Sequence, residues 1–446
     1  MAIGLSAWVP DLREGGTVLL RSVATAAAAG GLLWMALQPS KDVKTEEDEF
    51  AHYAVVGLSR SGKTAWAMLK VREWQRRGWG WCWLSIKGGR SLLPYLRETA
   101  ADTIDLVSPI SPNPRGINML RLATDSPAER EQLADQTAEI LDRLHPTTSD
   151  LMREMTRLGT LAVLEYGRAT GREVSLLDLY RFFENEGDRQ CVLSHVRVPP
   201  VLQAFRGSPS VVRTLEAVQR QVRRMVSSRS MLLALARTGR DQVDIRAAMA
   251  KGRGIVVDAS DADLGPGQAA LINEVIATKI QLYTAQRSGG EPGFGVIADE
   301  VQEYQGAGQS FRRALALAAE YRVAWVLVNQ YREGQLNAAM QAAVNLAGSH
   351  VFFRLAPGDV QSAVRILAQT VPPDTLVQLE KRHYFSSERR QGKAVLLSGR
   401  TPDLPTPSPE VERRIRLNNA LGPTGSQVLT AAYRCLEETE GTCPWT

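Results

Sequence analysis

Apolar and polar positions fall along the chain in blocks that switch between two periods. Short, nearly continuous apolar runs bounded by turn residues lie at 52–56, 79–86 and 103–107, and again at 254–258, 295–299, 324–329 and 350–355. Runs of this length without alternation predict strands covered on both faces. Between the first two, 63–77 has apolar positions at helical spacing, and 268–287 reads as a long amphipathic helix. Strands alternating with helices predict an α/β layer structure with a mainly parallel sheet. Residues 383–386 and 394–398 read as a closing hairpin.

Between the two groups of strands, 126–240 has no comparable apolar run and many helix formers. Ser126-Pro-Ala-Glu129 carries a capping signal, and the turns that follow place Leu133, Ile140 and Leu141 on one side. The chain therefore divides into a first core part, 51–125, an all-α insertion domain, 126–240, and a second core part, 241–401. Before them, 1–50 holds a segment without charge at 22–37, extendable to 17–37 across Arg21, and a charged stretch at 41–49 that reads as a linker. The 17–37 segment is a candidate membrane helix of marginal length, and its Ala/Gly-rich composition equally suits a helix packed closely on neighbours. After the core, 402–446 reads as a Pro-rich linker and a helical tail.

Composition narrows the class. The chain has 446 residues, 44% hydrophobic and 23% charged, which excludes a disordered or collagen-like protein and leaves ample length for a core. Cys82, Cys191, Cys435 and Cys443 fall in no CxxC spacing, so neither a zinc site nor a disulfide framework is expected; a Cys435–Cys443 pair in the tail has no support beyond proximity. The net charge of +5 conceals an uneven distribution, since 189–240 carries ten arginines against one acid, Glu216. Arg213, Arg220, Arg223 and Arg224 recur at helical spacing within it. Such a stripe suits a phosphate backbone without base readout, and no aromatic residues interleave to stack on single-stranded bases. A solvated helical face, or arginines pairing with acids or nucleotide across a subunit boundary, stays open.

Three motifs carry chemistry. Residues 57–64, GLSRSGKT, fit G-x-x-x-x-G-K-[ST] after an apolar strand and at the start of a helix. In that setting the backbone of Gly57, Ser59, Arg60, Ser61 and Gly62 wraps phosphates, Lys63 reaches the β- and γ-phosphates, and the Thr64 hydroxyl binds Mg²⁺. The plain alternative is a Gly-Ser turn beside a surface lysine. At 294–300, FGVIADE ends an apolar strand in Asp299, a second Mg²⁺ ligand, and Glu300, placed to activate water. At 325–330, WVLVNQ ends a strand in Gln330, which is either a γ-phosphate sensor or an amide capping a turn.

The order of these elements from 52 to about 403 resembles the FtsK–HerA superfamily, and within it the HerA-like and conjugative coupling-protein (type IV secretion, VirD4/TraD-like) branch. The resemblance rests on GLSRSGKT, WCWLSIKGG at 81–89, GINML at 116–120, GRGIVVDASDADLG at 252–265, GVIADE, WVLVNQ and HVFFRL at 350–355. It implies a RecA-like P-loop NTPase core with an all-α insertion domain, ATP and Mg²⁺ as cofactors, and a homohexameric ring around DNA. Relaxase or nuclease partners and a membrane or secretion channel are implied with it. So is an arginine supplied by a neighbouring subunit; Ala319 stands where the family places it, leaving Arg354 and Arg322 as candidates, with Arg312 and Arg313 earlier. Ser85 replaces an aspartate common in the family, while Lys87 matches. The family's N-terminal β-barrel has no room before Gly57, and coupling proteins have two membrane helices where this chain offers one candidate.

The expected function is an ATP-dependent DNA translocase of conjugative-type transfer or DNA processing, cytoplasmic, or at the inner membrane with a cytoplasmic ATPase domain if 17–37 is an anchor. The alternatives are a secretion or virion-assembly ATPase acting on protein, and a nucleotide-gated receptor for a DNA–protein complex with little turnover.

Overall fold

The computed structural model describes residues 45–143, 149–206, 209–239, 242–265, 267–304, 308–330 and 336–437. Nine strands form one sheet: β1 (Tyr53–Val56), β2 (Gly80–Ser85), β3 (Ile104–Val107), β4 (Gly254–Val257), β5 (Phe294–Asp299), β6 (Val323–Asn329), β7 (Ser349–Phe352), β8 (His383–Arg390) and β9 (Lys393–Arg400). Their order across the sheet is β3-β4-β2-β5-β6-β1-β7-β8-β9. All strands up to β7 pair in parallel, and β8 and β9 add an antiparallel hairpin at one edge.

Side chains of a strand point alternately to its two faces, and here both faces are covered. Tyr53, Val55, Trp81, Trp83, Ile297, Val326 and Val328 join one apolar cluster with Trp74 from helix α1 (Lys63–Arg76). Ala54, Cys82, Leu84, Val296, Ala298, Trp325 and Leu327 join another on the opposite face. This double burial gives the continuous apolar runs of the sequence. The cluster of tryptophans is a packing feature: a Cβ at Gly295 would lie 2.3 Å from the Trp74 ring, so a glycine in β5 is what lets that ring rest on the sheet.

The segment between the two groups of strands is helical: α2 (Pro127–Arg143), α3 (Asp150–Thr170), α4 (Leu176–Glu184), α5 (Glu186–His195), α6 (Pro199–Ala204), α7 (Pro209–Ser227) and α8 (Arg229–Leu235). Ser126 Oγ accepts the Glu129 N–H at 3.2 Å as the capping signal predicts, and the Glu129 carboxylate takes the N–H groups of Ala123, Thr124 and Asp125 in the preceding turn. After β4 come the single turn α9 (Asp261–Leu264) and helix α10 (Gln268–Thr284). The structure corrects the amphipathic reading of this helix. It stops at Thr284 and is buried nearly all round, because β2 lies on one side and α2 and α8 on the other.

The described residues that flank the core are more integrated than linkers. The 41–49 stretch ends in a helical turn, Glu46–Glu49, with Asp48 and Glu49 buried. Asp48 accepts the N–H groups of Gln391 and Gly392 at the tip of the β8–β9 hairpin, and Glu49 pairs with buried Lys70 at 2.5 Å. At the other end, α11 (Pro409–Asn419) buries Val411 and Ile415 against the β3 side of the core, and α12 (Gly425–Glu437) buries Leu429 and Ala432 with the insertion. Cys435 is a free thiol, so it is not paired within the tail, and Cys191 is disulfide-bonded, contrary to the expectation of none.

Asn419 completes the open edge of β3. Its Oδ1 accepts the Leu106 N–H at 2.8 Å and its Nδ2 donates to the Ile104 carbonyl at 2.8 Å, the pattern a neighbouring strand would supply. Asn419→Ala leaves both backbone groups buried without partners. The expected cost is about 2 kcal/mol of unfolding free energy, read as a lower urea midpoint. The membrane candidate at 17–37 lies outside the described residues; among those described, no helix is long and apolar enough to cross a membrane.

Candidate active site

Parallel pairing brings four strand ends side by side. Val56 of β1 is in register with Asn329 of β6, Val328 of β6 with Asp299 of β5, and Asp299 with Ser85 of β2. At a strand spacing of about 4.8 Å, the loop after β1 and the acids after β5 stand roughly 10 Å apart, with the end of β6 between them.

The 57–64 loop is held by its neighbours. Leu58 N–H donates to the Arg354 carbonyl at 2.8 Å, Gly57 N–H to the Asn329 carbonyl at 3.3 Å, and Arg382 N–H to the Ser61 carbonyl at 2.7 Å. A Cβ at Gly57 would meet Phe353 Cβ at 2.6 Å, so the loop lies directly on the end of β7. Gly62 has φ +122° and Arg60 φ +60°, conformations that turn the chain sharply into α1. No side chain caps that helix. Its first N–H groups and positive dipole end thus face the loop's hollow, as an anion requires.

Lys63 is buried and curls back over the loop, donating from Nζ to the Gly57 carbonyl at 2.5 Å and the Leu58 carbonyl at 3.0 Å. Burial pushes its pKa down to about 8, against the pull of Glu300 and Asp299. The Ser61 hydroxyl is buried without a hydrogen-bond partner among the described residues. An uncapped helix end, an orphaned hydroxyl and a lysine resting on carbonyls together fit a polyphosphate. Thr64, on the first turn of α1, is exposed on the same side.

Asp299 is buried at the end of β5, and burial together with Glu300 raises its carboxyl to about 6, opposed by Lys87 and Lys63. Thr64 and Asp299 carry hard oxygen donors, the type Mg²⁺ takes alongside phosphate oxygens and water. Glu300 sits in the left-handed region, φ +60°, a conformation that costs a non-glycine residue about 1–2 kcal/mol and turns its carboxylate across the strand ends. Gln330 Nε2 donates to both Glu300 oxygens at 3.0 Å, and Ser59 Oγ donates to Gln330 Oε1 at 2.8 Å. Gln302 Nε2 also reaches Glu300, at 2.5 Å, and Lys87 Nζ forms an ion pair with it. Burial acts to raise the Glu300 carboxyl, yet the bonds from Lys87, Gln330 and Gln302 prevail and hold it below its ordinary value.

The phosphate loop, the acid pair and Gln330 are therefore one connected site. The candidate arginines are dispersed. Arg354 leaves the end of β7 beside the chain's own phosphate loop, with its side chain exposed. Arg322 lies at the far end of β6, donating to the carbonyls of Gly289 and Glu291 and pairing with Glu46 at 2.5 Å. Arg313 pairs with Glu139. Arg213, Arg220, Arg223 and Arg224 stand exposed on α7, whose other side buries Leu215, Val218, Val222 and Met225. The ten arginines do not act as one stripe: Arg237 is buried, Arg189 donates to the carbonyls of Phe182 and Phe183, and Arg223 pairs with Glu184 at 2.7 Å.

With this geometry in place, the chain compares directly with solved structures. It superposes on the plasmid coupling protein TrwB bound to the non-hydrolysable GTP analogue GDPNP with a TM-score of 0.62 at 14% identity, covering 85% of this chain and 94% of TrwB. This is the fold of the conjugative coupling proteins. The TrwB complex with ADP and Mg²⁺ gives a TM-score of 0.61 over the same shares, also at 14% identity. VirB4 of Thermoanaerobacter pseudethanolicus gives 0.52 at 10% identity, covering 78% of this chain and 88% of that one. No protein-family model and no curated sequence matches the chain. The coupling-protein fold thus comes with a sequence far from those structures, and its RecA-like P-loop core and all-α insertion are the parts they share.

Sequence reasoning missed the partner of Lys87 and the whole of Gln302. The signal for Lys87 was present in the turn IKGG at 86–89, directly after a strand destined for the sheet centre.

Proposed function

We propose that this protein is an ATP-driven motor that moves DNA, working as a homohexameric ring in conjugative-type transfer or DNA processing. The observation that carries the reading is the bridge Ser59–Gln330–Glu300, which ties the phosphate loop to the acid pair through the strand between them. A loop that bound phosphate for structural reasons alone would have no use for a carboxylate aligned on it through an amide.

ATP lies against the end of α1, with its β- and γ-phosphates taking the place of the carbonyls that Lys63 now holds. Thr64 and Asp299 would hold Mg²⁺, which would supply charge neutralisation for the phosphates. Glu300 accepts a proton from the attacking water, and Gln330 orients that water and senses the γ-phosphate. Of the two candidates for the arginine that a neighbouring subunit brings to the developing charge, Arg354 is favoured, since its side chain is exposed while Arg322 is engaged by Gly289, Glu291 and Glu46. The exposed arginines of α7 grip the DNA backbone without reading bases. A relaxase or nuclease and a membrane or secretion channel are the partners this reading implies.

The DNA assignment is tested at α7. Replacing Arg213, Arg220 and Arg224 together by alanine weakens duplex binding and flattens the slope of log affinity against log salt, by about 0.9 for each phosphate no longer neutralised. Arg223→Ala alone changes less, because Glu184 already holds that side chain. Fluorescence anisotropy across a salt series reads both. An unchanged slope in the triple variant removes α7 from the DNA path.

A further inference from the structure

Lys87 is an odd residue to find on a general base. Glu300 needs a free lone pair facing water to accept a proton, yet in the resting site its carboxylate is engaged by Lys87, by Gln302 and twice by Gln330. Gln330 and Gln302 are neutral amides. Lys87 alone brings a full charge, and a charge-assisted bond is roughly twice as strong as a neutral one. A carboxylate so paired is a poorer base, with Lys87 bonded to it from the β2 side and Gln330 from the β6 side.

The backbone that carries Lys87 is tied to the end of β2, where Gly88 N–H donates to the Ser85 carbonyl at 3.1 Å, and also to a second element that Glu300 does not touch. The turn 86–88 forms a bridge to Ser260, receives the Asp261 N–H on the Ile86 carbonyl at 3.0 Å, and lies against Asp258 and Ser260 at Gly88. Arg90, just beyond, clamps Asp258 and Asp263. Ser260 opens α9, which leads into α10, and Gln268 at the start of α10 accepts a bond from Ser228 Oγ at 3.0 Å. Ser228 directly follows α7, the arginine helix, and caps α8. The lysine side chain itself is 61% exposed and Glu300 only 7%, so Lys87 has open space to leave into while Glu300 is packed at the strand ends.

We propose that Lys87 is a positioning residue that restrains Glu300 in the resting protein, and that displacement of the 86–88 turn, through α9 and the α7–α8 corner, releases it for catalysis when DNA is engaged. The inference rests on the proposed reading of Glu300 as the base. It adds that turnover waits on a broken ion pair rather than on nucleotide binding alone.

The test compares steady-state ATP turnover of the full chain, with and without duplex DNA, for wild type, Lys87→Met, Lys87→Arg, Glu300→Gln and the Lys87→Met/Glu300→Gln double variant. Lys87→Met is expected to raise the DNA-free rate about tenfold, the factor given by ~1.4 kcal/mol of a lost charge-assisted bond, and so to shrink the stimulation by DNA. Lys87→Arg keeps the pair and restores the low resting rate, which a merely structural role would not require. The double variant stays inactive, since the gain acts through Glu300. A DNA-free rate that is unchanged or lower in Lys87→Met overturns the proposal; if ATP affinity falls with it, Lys87 is a phosphate ligand instead. Loss of turnover in Glu300→Gln beside an unchanged Lys87→Met rate sinks the restraint and spares the base assignment. Normal turnover in Glu300→Gln sinks both.

Discussion

Glu300→Gln is expected to lower ATP turnover by roughly 10²–10⁴-fold, the share usually carried by a positioned general base, while nucleotide binding persists. The substitution keeps the size of the side chain and its place at the end of β5. It removes the negative charge that accepts the proton and that Lys87 pairs with. The backbone of the phosphate loop is held independently of it, by Arg354, Asn329 and Arg382, with Lys63 resting on Gly57 and Leu58; only the Ser59–Gln330 bond links the loop to Glu300, and glutamine can still bond to Gln330. The variant therefore separates binding from chemistry, and equilibrium binding of a fluorescent ATP analogue beside a phosphate-release assay reads the two. Full turnover would remove Glu300 from the mechanism and leave Asp299 and Gln330 as a binding site only.

Lys63→Ala acts earlier, on binding itself. In the resting site the ammonium bonds to two loop carbonyls, and burial has pushed its pKa down to about 8, so it is mostly charged at neutral pH. A phosphate arriving at the loop replaces those carbonyls with anionic oxygens, and each charge-assisted bond made there is worth about 1.5–3 kcal/mol. Alanine forfeits them and leaves the Gly57 and Leu58 carbonyls facing the anion. Affinity for ATP is expected to fall by about 100-fold or more, with turnover falling at least as far. Calorimetric titration with an ATP analogue and Mg²⁺ checks it; wild-type affinity in Lys63→Ala would take the phosphates out of this loop.

These two variants draw on the part of the site that was legible before the fold was known. GLSRSGKT and GVIADE are each local: their chemistry is set by residues adjacent in sequence at the end of one strand. The α/β pattern was legible for the same reason, since strands buried on both faces must be apolar throughout. What joins the motifs was not. Gln330 reaches Glu300 because β6 lies between β1 and β5, and Lys87 reaches it because Ser85 registers with Asp299. No local pattern fixes strand order. The arginine count is coarser still: composition adds charges without knowing their faces, and while Arg223 is exposed on α7 and pairs with Glu184, Arg237 is buried and Arg189 donates to carbonyls of the insertion. The tail was underestimated because Asn419 gains its meaning only from the open edge of β3.

The central claim is that ATP chemistry at the strand ends is coupled to DNA held by α7. It is tested most directly by ATP turnover of the full chain titrated with duplex DNA, at low and at raised salt. The account predicts turnover that rises severalfold with DNA at low salt and loses that stimulation as salt competes for the arginines. Turnover indifferent to DNA at every salt concentration would contradict it and point to a protein substrate, and ATP bound without turnover under any of these conditions would make the chain a nucleotide-gated receptor.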